Sequence, residues 1–195
     1  MKKIILHLSL CLSALFLTTG CQGGYDIRGT IVGVQYTNRM VYLCAPYTLQ
    51  PIDSTVIRDG KFGFRVPGSS VTVYNLLLQG KSSDILPLDI PVVTGDGVAK
   101  VTMGDVFSIG GTPLNDRLKE FLLGTDTFFQ DGLSGKYTSE QIRANFKRYL
   151  QEQVVENKSN IVSVYILQSY SNRFTEEEYA QLKQQLDKEV AATLN

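Results

Sequence analysis

Hydrophobic and polar positions follow two different periods along the chain, one on each side of Gly110-Gly111. From Tyr25 to that point they alternate with a period of two, the repeat of a half-buried strand. Ile27, Gly29 and Ile31 alternate with Arg28, Thr30 and Val32, and residues 39–44 and 52–58 read as the next strands. Asp59-Gly60 supplies two residues that tolerate the positive φ of a type I′ hairpin turn, and Phe62, Phe64 and Val66 return from it on one face. Pro67-Gly68 turns into a strand over 71–79. Residues 85–94 form a strand at a sheet edge, because Pro87 and Pro91 cannot donate ladder hydrogen bonds. Gly95-Asp96-Gly97 and Gly104-Asp105 set off two more strands, over 98–103 and 106–110. Short strands punctuated at this interval predict an antiparallel β-sandwich or barrel-like domain over 25–110.

Beyond Gly111 the period becomes helical. Thr112 is placed as an N-cap with Pro113 at the first helical position. Leu114, Leu118, Phe121 and Leu122 share a face, Gly124 reads as the end of that helix, and the stretch around Gly132 and Gly135 reads as a loop. Thr138 with Gln141, and Thr175 with Glu178, have the spacing of capping boxes. The first opens a helix with Ile142, Phe146, Tyr149, Leu150 and Val154 on one face. The second opens a helix carrying Tyr179, Leu182, Leu186 and Val190. Between them, residues 157–160 form a break, and Ile161 to Tyr170 is apolar nearly all round. A buried helix is expected there, with a strand left open by the β-branched content. Strands first and helices after predict an α+β chain in which residues 111–195 form a C-terminal helical segment.

The N-terminus follows neither period. Lys2 and Lys3 precede an apolar run from Ile4 to Leu17, and Thr18-Thr19-Gly20 places small residues before Cys21. This is the layout of a secretory signal over 1–20, and the run is shorter than the ~20 residues that span a bilayer. The segment resembles a bacterial lipobox, with Thr18 where leucine is usual, which implies that Cys21 is the lipidated residue and 21–24 a short tether. The membrane is then the first expected partner, held through acyl chains at ~0.8 kcal/mol per buried CH2. With no acidic run after Cys21, the expected location is the bacterial envelope, on the outer membrane facing the periplasm.

Composition narrows the chemistry. The chain carries 19 basic and 19 acidic residues, and the signal removes two basic and no acidic ones, so the processed chain has a net charge of −2. That balance offers no basic excess to attract nucleic acid or anionic lipid. The only histidine, His7, leaves with the signal. Histidine-based acid–base catalysis, Ser–His–Asp and Cys–His nucleophiles and imidazole metal ligands are therefore excluded, while carboxylate-only catalysis stays open. Cys11 leaves as well and Cys21 becomes a thioether, so Cys44 is the remaining thiol, with no C-x-x-C and no internal disulfide. Within Met40-Val41-Tyr42-Leu43-Cys44 it reads as a small buried hydrophobe.

The motifs Tyr25-x-Ile27-x-Gly29, Val41-Tyr42-Leu43, Ile52-Asp53-Ser54-Thr55-Val56 and Asp59-Gly60-Lys61-Phe62-x-Phe64 resemble the uncharacterised N-terminal domain of bacterial thiol–disulfide interchange (thioredoxin-like) lipoproteins. Gly110-Gly111-Thr112-Pro113-Leu114-Asn115-Asp116 and Asn157-Lys158-Ser159-Asn160-Ile161-Val162-Ser163-x-Tyr165 resemble the helical segment that follows in that family. The resemblance implies a β-sandwich-like domain, an envelope location and an association with redox lipoproteins. Family members carry their chemistry in a later thioredoxin domain with a C-x-x-C. The sequence to Asn195 contains none, so no catalytic residue carries over.

Other constellations have plain structural readings. Gly132-Leu133-Ser134-Gly135-Lys136 lacks the spacing of a phosphate loop. Asp116 and Glu120 stand one helical turn apart beside Arg117 and Lys119, as on a solvated face. Asp84, Asp89, Asp96 and Asp105 lie near turns without the spacing of a calcium loop. Ser54 and Ser163 have no base partner, and Tyr36, Tyr47, Tyr74 and Tyr137 near loops suit core or rim packing. No catalytic, cofactor-binding or metal-binding residue is assigned, and Cys21 is the one site residue. The expected function is a non-catalytic, lipid-anchored binding or scaffold module. The alternative is an accessory or docking factor for a thioredoxin-like lipoprotein.

Overall fold

A computed structural model describes residues 24–78 and 88–194. The signal and Cys21, and also Asp84 and Pro87, lie outside the described residues. Eight strands come first: β1 (Ile27–Val32), β2 (Met40–Cys44), β3 (Pro51–Val56), β4 (Lys61–Phe64), β5 (Thr72–Leu78), β6 (Leu88–Thr94), β7 (Ala99–Gly104) and β8 (Ser108–Gly110). Helices follow: α1 (Pro113–Ser134), α2 (Ser139–Glu156), α3 (Ile161–Ser169), α4 (Glu176–Gln185) and α5 (Lys188–Ala191). The strands make two four-stranded sheets, ordered β4-β1-β7-β8 and β3-β2-β5-β6. Neither closes into a barrel. The fold is α+β, and its one core runs from both sheets into α1, α2 and α3.

Two features of strand pairing go beyond the local pattern. The first sheet is not wholly antiparallel, because β1 and β7 run parallel from Ile27↔Ala99 to Val32↔Gly104. The second concerns the turn at Asp59-Gly60. Both residues take positive φ, 51° and 67°, as a type I′ turn requires. Arg58 and Lys61 exchange backbone hydrogen bonds of 3.0 and 2.9 Å across it. Yet β3 pairs with β2 and β4 with β1, so the turn carries the chain from one sheet to the other. A β-branched residue is strained at this φ, and Gly60→Val should cost about 1–2 kcal/mol. Since a Cβ at Gly60 meets only the Ile31 carbonyl, at 3.6 Å, the cost is conformational. An unchanged thermal midpoint would show that the turn contributes nothing to stability.

β6 lies at a sheet edge, as Pro91 implies, and α1 covers that edge. The buried side chain of Asn115 accepts from the Val93 amide (2.9 Å) and donates to the Val93 carbonyl (2.8 Å). It therefore does for β6 what a further strand would do. Val93 thus turns its polar groups away from β5. Pro91, two residues earlier, shares that direction, so its missing N–H falls on the open side. Thr112 caps α1 by accepting from the Asn115 amide and also takes a hydrogen bond from Asn115 Nδ2 (2.8 Å).

The helices correct three expectations. α1 does not end at Gly124 but runs to Ser134, with Gly135 as its left-handed cap. Gly124 is small because Tyr149 lies against it. An added Cβ would sit 1.9 Å from the Tyr149 hydroxyl, which donates to the Phe121 carbonyl at 2.9 Å. Residues 132–134, read above as loop, are consequently the last turn of α1. The helix with Tyr179 and Leu182 also stops early: Leu186 leaves helical dihedrals (ψ 149°), and the Asp187 amide bonds to the Lys158 carbonyl at 3.1 Å. Ile161–Ser169 is a helix, almost wholly buried, with Asn160 as its cap, which settles the helix-or-strand alternative. Both capping boxes form as expected, at Thr138–Gln141 and Thr175–Glu178.

Candidate functional site

Strand alternation and register assemble a polar face on the β4-β1-β7-β8 sheet. Ile27 and Gly29 of β1, and Ala99 and Val101 of β7, turn to the core, so Arg28, Thr30, Lys100 and Thr102 point outward. Across the sheet Arg28 is paired with Lys100 and Gly63, and Lys100 in turn with Gly110. Thr30 is likewise paired with Thr102 and Lys61, and Thr102 with Ser108. Two side-chain rows result, spaced at about 4.8 Å from strand to strand. One reads Gly63, Arg28, Lys100, Gly110 and the other Lys61, Thr30, Thr102, Ser108. The hydroxyls of Thr30 and Thr102 lie 3.3 Å apart in the middle of the second.

These rows floor an open groove of about 1110 Å³. Ser54, Thr55, Val56 and Arg58 wall it on the β4 side, and Asp116 and Lys119 of α1 on the β8 side. Five basic side chains line the groove against one carboxylate, and that carboxylate, Asp116, sits 3.5 Å from Lys119. Arg28, Arg58, Lys61 and Lys100 have no ion pair among the described residues. The glycines at the ends of the first row keep the floor low. A Cβ on Gly63 would stand 2.7 Å from the Tyr25 ring, and one on Gly110 would stand 3.0 Å from Asp116 Oδ1. Tyr25, 51% exposed, thereby lies flat against bare backbone at the rim. Unneutralised cations beside hydroxyl donors on a shallow floor suit binding of anionic oxygens. Nothing in this set forms a nucleophile–base pair.

The residues singled out from sequence are dispersed. Ser54 and Asp116 line the groove, whereas Glu120 is simply exposed. Asp96 accepts from the Leu114 amide at 3.3 Å through Oδ2 while its Oδ1 is buried without a partner, Asp105 accepts from Gln35 at 2.6 Å, and Asp89 is exposed. Buried Ser163 donates to the Asn160 carbonyl at 2.8 Å. Tyr36 and Tyr47 pack against the core, Tyr74 is buried with its hydroxyl 3.4 Å from the Pro67 carbonyl, and Lys136 lies over the Tyr137 ring. None of these four lines the groove; Tyr25 does. Arg28, Lys61 and Lys100 were not singled out. Their only sequence signal is an outward position in an alternating strand.

Cys44 is fully buried, and burial, with a smaller contribution from the Asp89 charge, pushes its thiol pKa up. A protonated, enclosed thiol is a poor nucleophile. A thiol reagent should therefore label Cys44 slowly in the folded chain and rapidly in denaturant. Fast labelling of the folded protein would contradict its role as a packed core residue.

Among the described residues, no group of three or more His, Cys, Asp or Glu side chains is placed to hold a metal ion, and no helix is long and apolar enough to cross a membrane. No curated protein and no solved structure matches the chain. Residues 25–118, which hold the eight strands of the described residues and the start of α1 with Thr112 and Asn115, match the model of a family described as a domain of unknown function, DUF4369.

Proposed function

We propose that the protein is a non-catalytic binding module of the bacterial envelope, anchored by lipid on Cys21, and that the cationic groove is its binding surface. The observation that carries this reading is the segregation of charge. A processed chain with a net charge of −2 gathers Arg28, Arg58, Lys61 and Lys100 around one groove without ion-pair partners among the described residues. Attraction to an anion depends on that local field, not on the net charge. The ligand class is accordingly an extended molecule or surface bearing phosphate, sulfate or carboxylate groups.

Both halves of the reading are testable in the full chain. Metabolic labelling with a fatty-acid analogue should mark the wild type and not Cys21→Ser; equal labelling would remove the anchor. On a sulfonated resin, K61Q/K100Q should elute at clearly lower salt than K183Q/K188Q, which changes net charge equally. Matching elution would show that the groove is not the anion-binding face. The accessory reading rests on the resemblance to thioredoxin-like lipoproteins, and the burial of Cys44 restricts such a role to docking without thiol exchange.

A further inference from the structure

We infer that the cationic face of the β4-β1-β7-β8 sheet is the side of the domain that lies on the membrane, where it takes the phosphates of anionic lipid headgroups as its ligand. The inference rests on the proposed anchor at Cys21 and assigns the partner of the proposed binding surface.

Chain geometry supplies the first argument. Tyr25 stands at the rim of the groove, against Gly63. Cys21 precedes it by four residues. At about 3.3–3.6 Å per residue, such a stretch reaches no farther than about 14 Å even fully extended. A bilayer holding acyl chains on Cys21 therefore brings its headgroup layer close to the groove, whatever path the tether takes. A tether this short lets the face approach within the Debye length of about 8 Å at physiological salt, where attraction to headgroups survives screening.

The composition of the face supplies the second argument. Arg28, Arg58, Lys61 and Lys100 present donors to phosphate oxygens, with Thr30 and Thr102 between them. Half-exposed Tyr25 is a ring with a polar tip, the residue type that settles at a membrane–water interface. At the other end of the same strands Val32 is exposed, and so are Val106 and Phe107 in the turn before β8. Cations flanked by exposed apolar groups make a surface suited to headgroups and to the layer just beneath them. Carboxylates gather elsewhere: Glu152, Glu156 and Glu178 line a crevice between α2 and α4. Glu178 is paired with Lys147 and Glu152 with Arg148, so it is the cations of the sheet face, unpaired among the described residues, that give a tethered domain one preferred orientation on an anionic membrane.

The test is amine footprinting of the full chain inserted into preformed vesicles of phosphatidylcholine, alone or mixed with phosphatidylglycerol. Intact mass reports acylation of Cys21 separately. Relative to Lys188, the acetylation rates of Lys61 and Lys100 should fall at least about fivefold on the anionic vesicles, and about 0.5 M salt should remove most of the difference. R28E/R58E, which leaves both lysines in place, should abolish the protection. Equal rates on the two vesicle types in acylated protein would overturn the inference and leave the anchor standing. An intact mass without acyl chains would overturn the anchor, and protection that persists in that protein would leave the headgroup ligand standing. If a soluble sulfated glycan protects the lysines and phosphatidylglycerol does not, the membrane is not the ligand and the inference fails.

Discussion

Asn115→Leu should destabilise the fold by about 3–5 kcal/mol, because two buried backbone groups lose their partner and each costs about 1–3 kcal/mol when left unpaired. Asn115 is fully buried and holds the amide and carbonyl of Val93 at 2.9 and 2.8 Å, with Thr112 fixing its amide group at 2.8 Å. Leucine has the branched shape and heavy-atom count of asparagine, so no cavity opens and the loss is of hydrogen bonds. The hydroxyl of Thr112 would also lose one of its two partners. Denaturant unfolding measures the effect, and amide exchange at Val93 should accelerate with it. A loss below about 1 kcal/mol would mean that water can take over the β6 edge, and that Asn115 is not what joins the helices to the sheet.

Phe121→Ala should cost about 3–5 kcal/mol, the range for removing a buried aromatic ring. The Phe121 ring is the hub of the helical layer. Tyr149 stacks on it at 5.9 Å with planes 4° apart, and Tyr165 and Tyr170 meet it edge-on at 6.2 and 5.8 Å. Tyr149 also donates to the Phe121 carbonyl and lies over Gly124, so the ring and the backbone of one helical turn seat the same tyrosine. Tyr149→Phe removes only the hydroxyl and should cost about 1 kcal/mol. Chemical denaturation of the two variants separates the contributions. Equal losses would show that the hydrogen bond, and not the ring, holds α2 against α1.

The strands were legible in the sequence because their signals are local. Alternation marks Ile27–Val32, Asp59-Gly60 marks its turn, and Pro91 marks an edge. Caps were equally local, and Thr112, Thr138 and Thr175 all function as their spacing implies. Contacts between distant segments decided the rest. Gly124 looks like a helix stop until Tyr149 is seen against it. Leu186 continues a helical face, yet the helix breaks where the Asp187 amide reaches Lys158. The groove was hidden for the same reason. Arg28 and Lys100 become neighbours only through the parallel pairing of β1 with β7, across a separation of 72 residues also spanned by the Thr30–Thr102 contact. Net charge averages over the molecule and so concealed a face on which four cations stand together.

The most direct test of that face is backbone amide NMR on the full chain during titration with a short-chain, soluble phosphatidylglycerol. Shift changes should concentrate at Arg28, Thr30, Lys61, Lys100 and Thr102, leave α2 and α4 unmoved, and weaken as salt is added. Changes centred on the helices, or changes indifferent to salt, would contradict the assignment of the β4-β1-β7-β8 sheet as the anion-binding face.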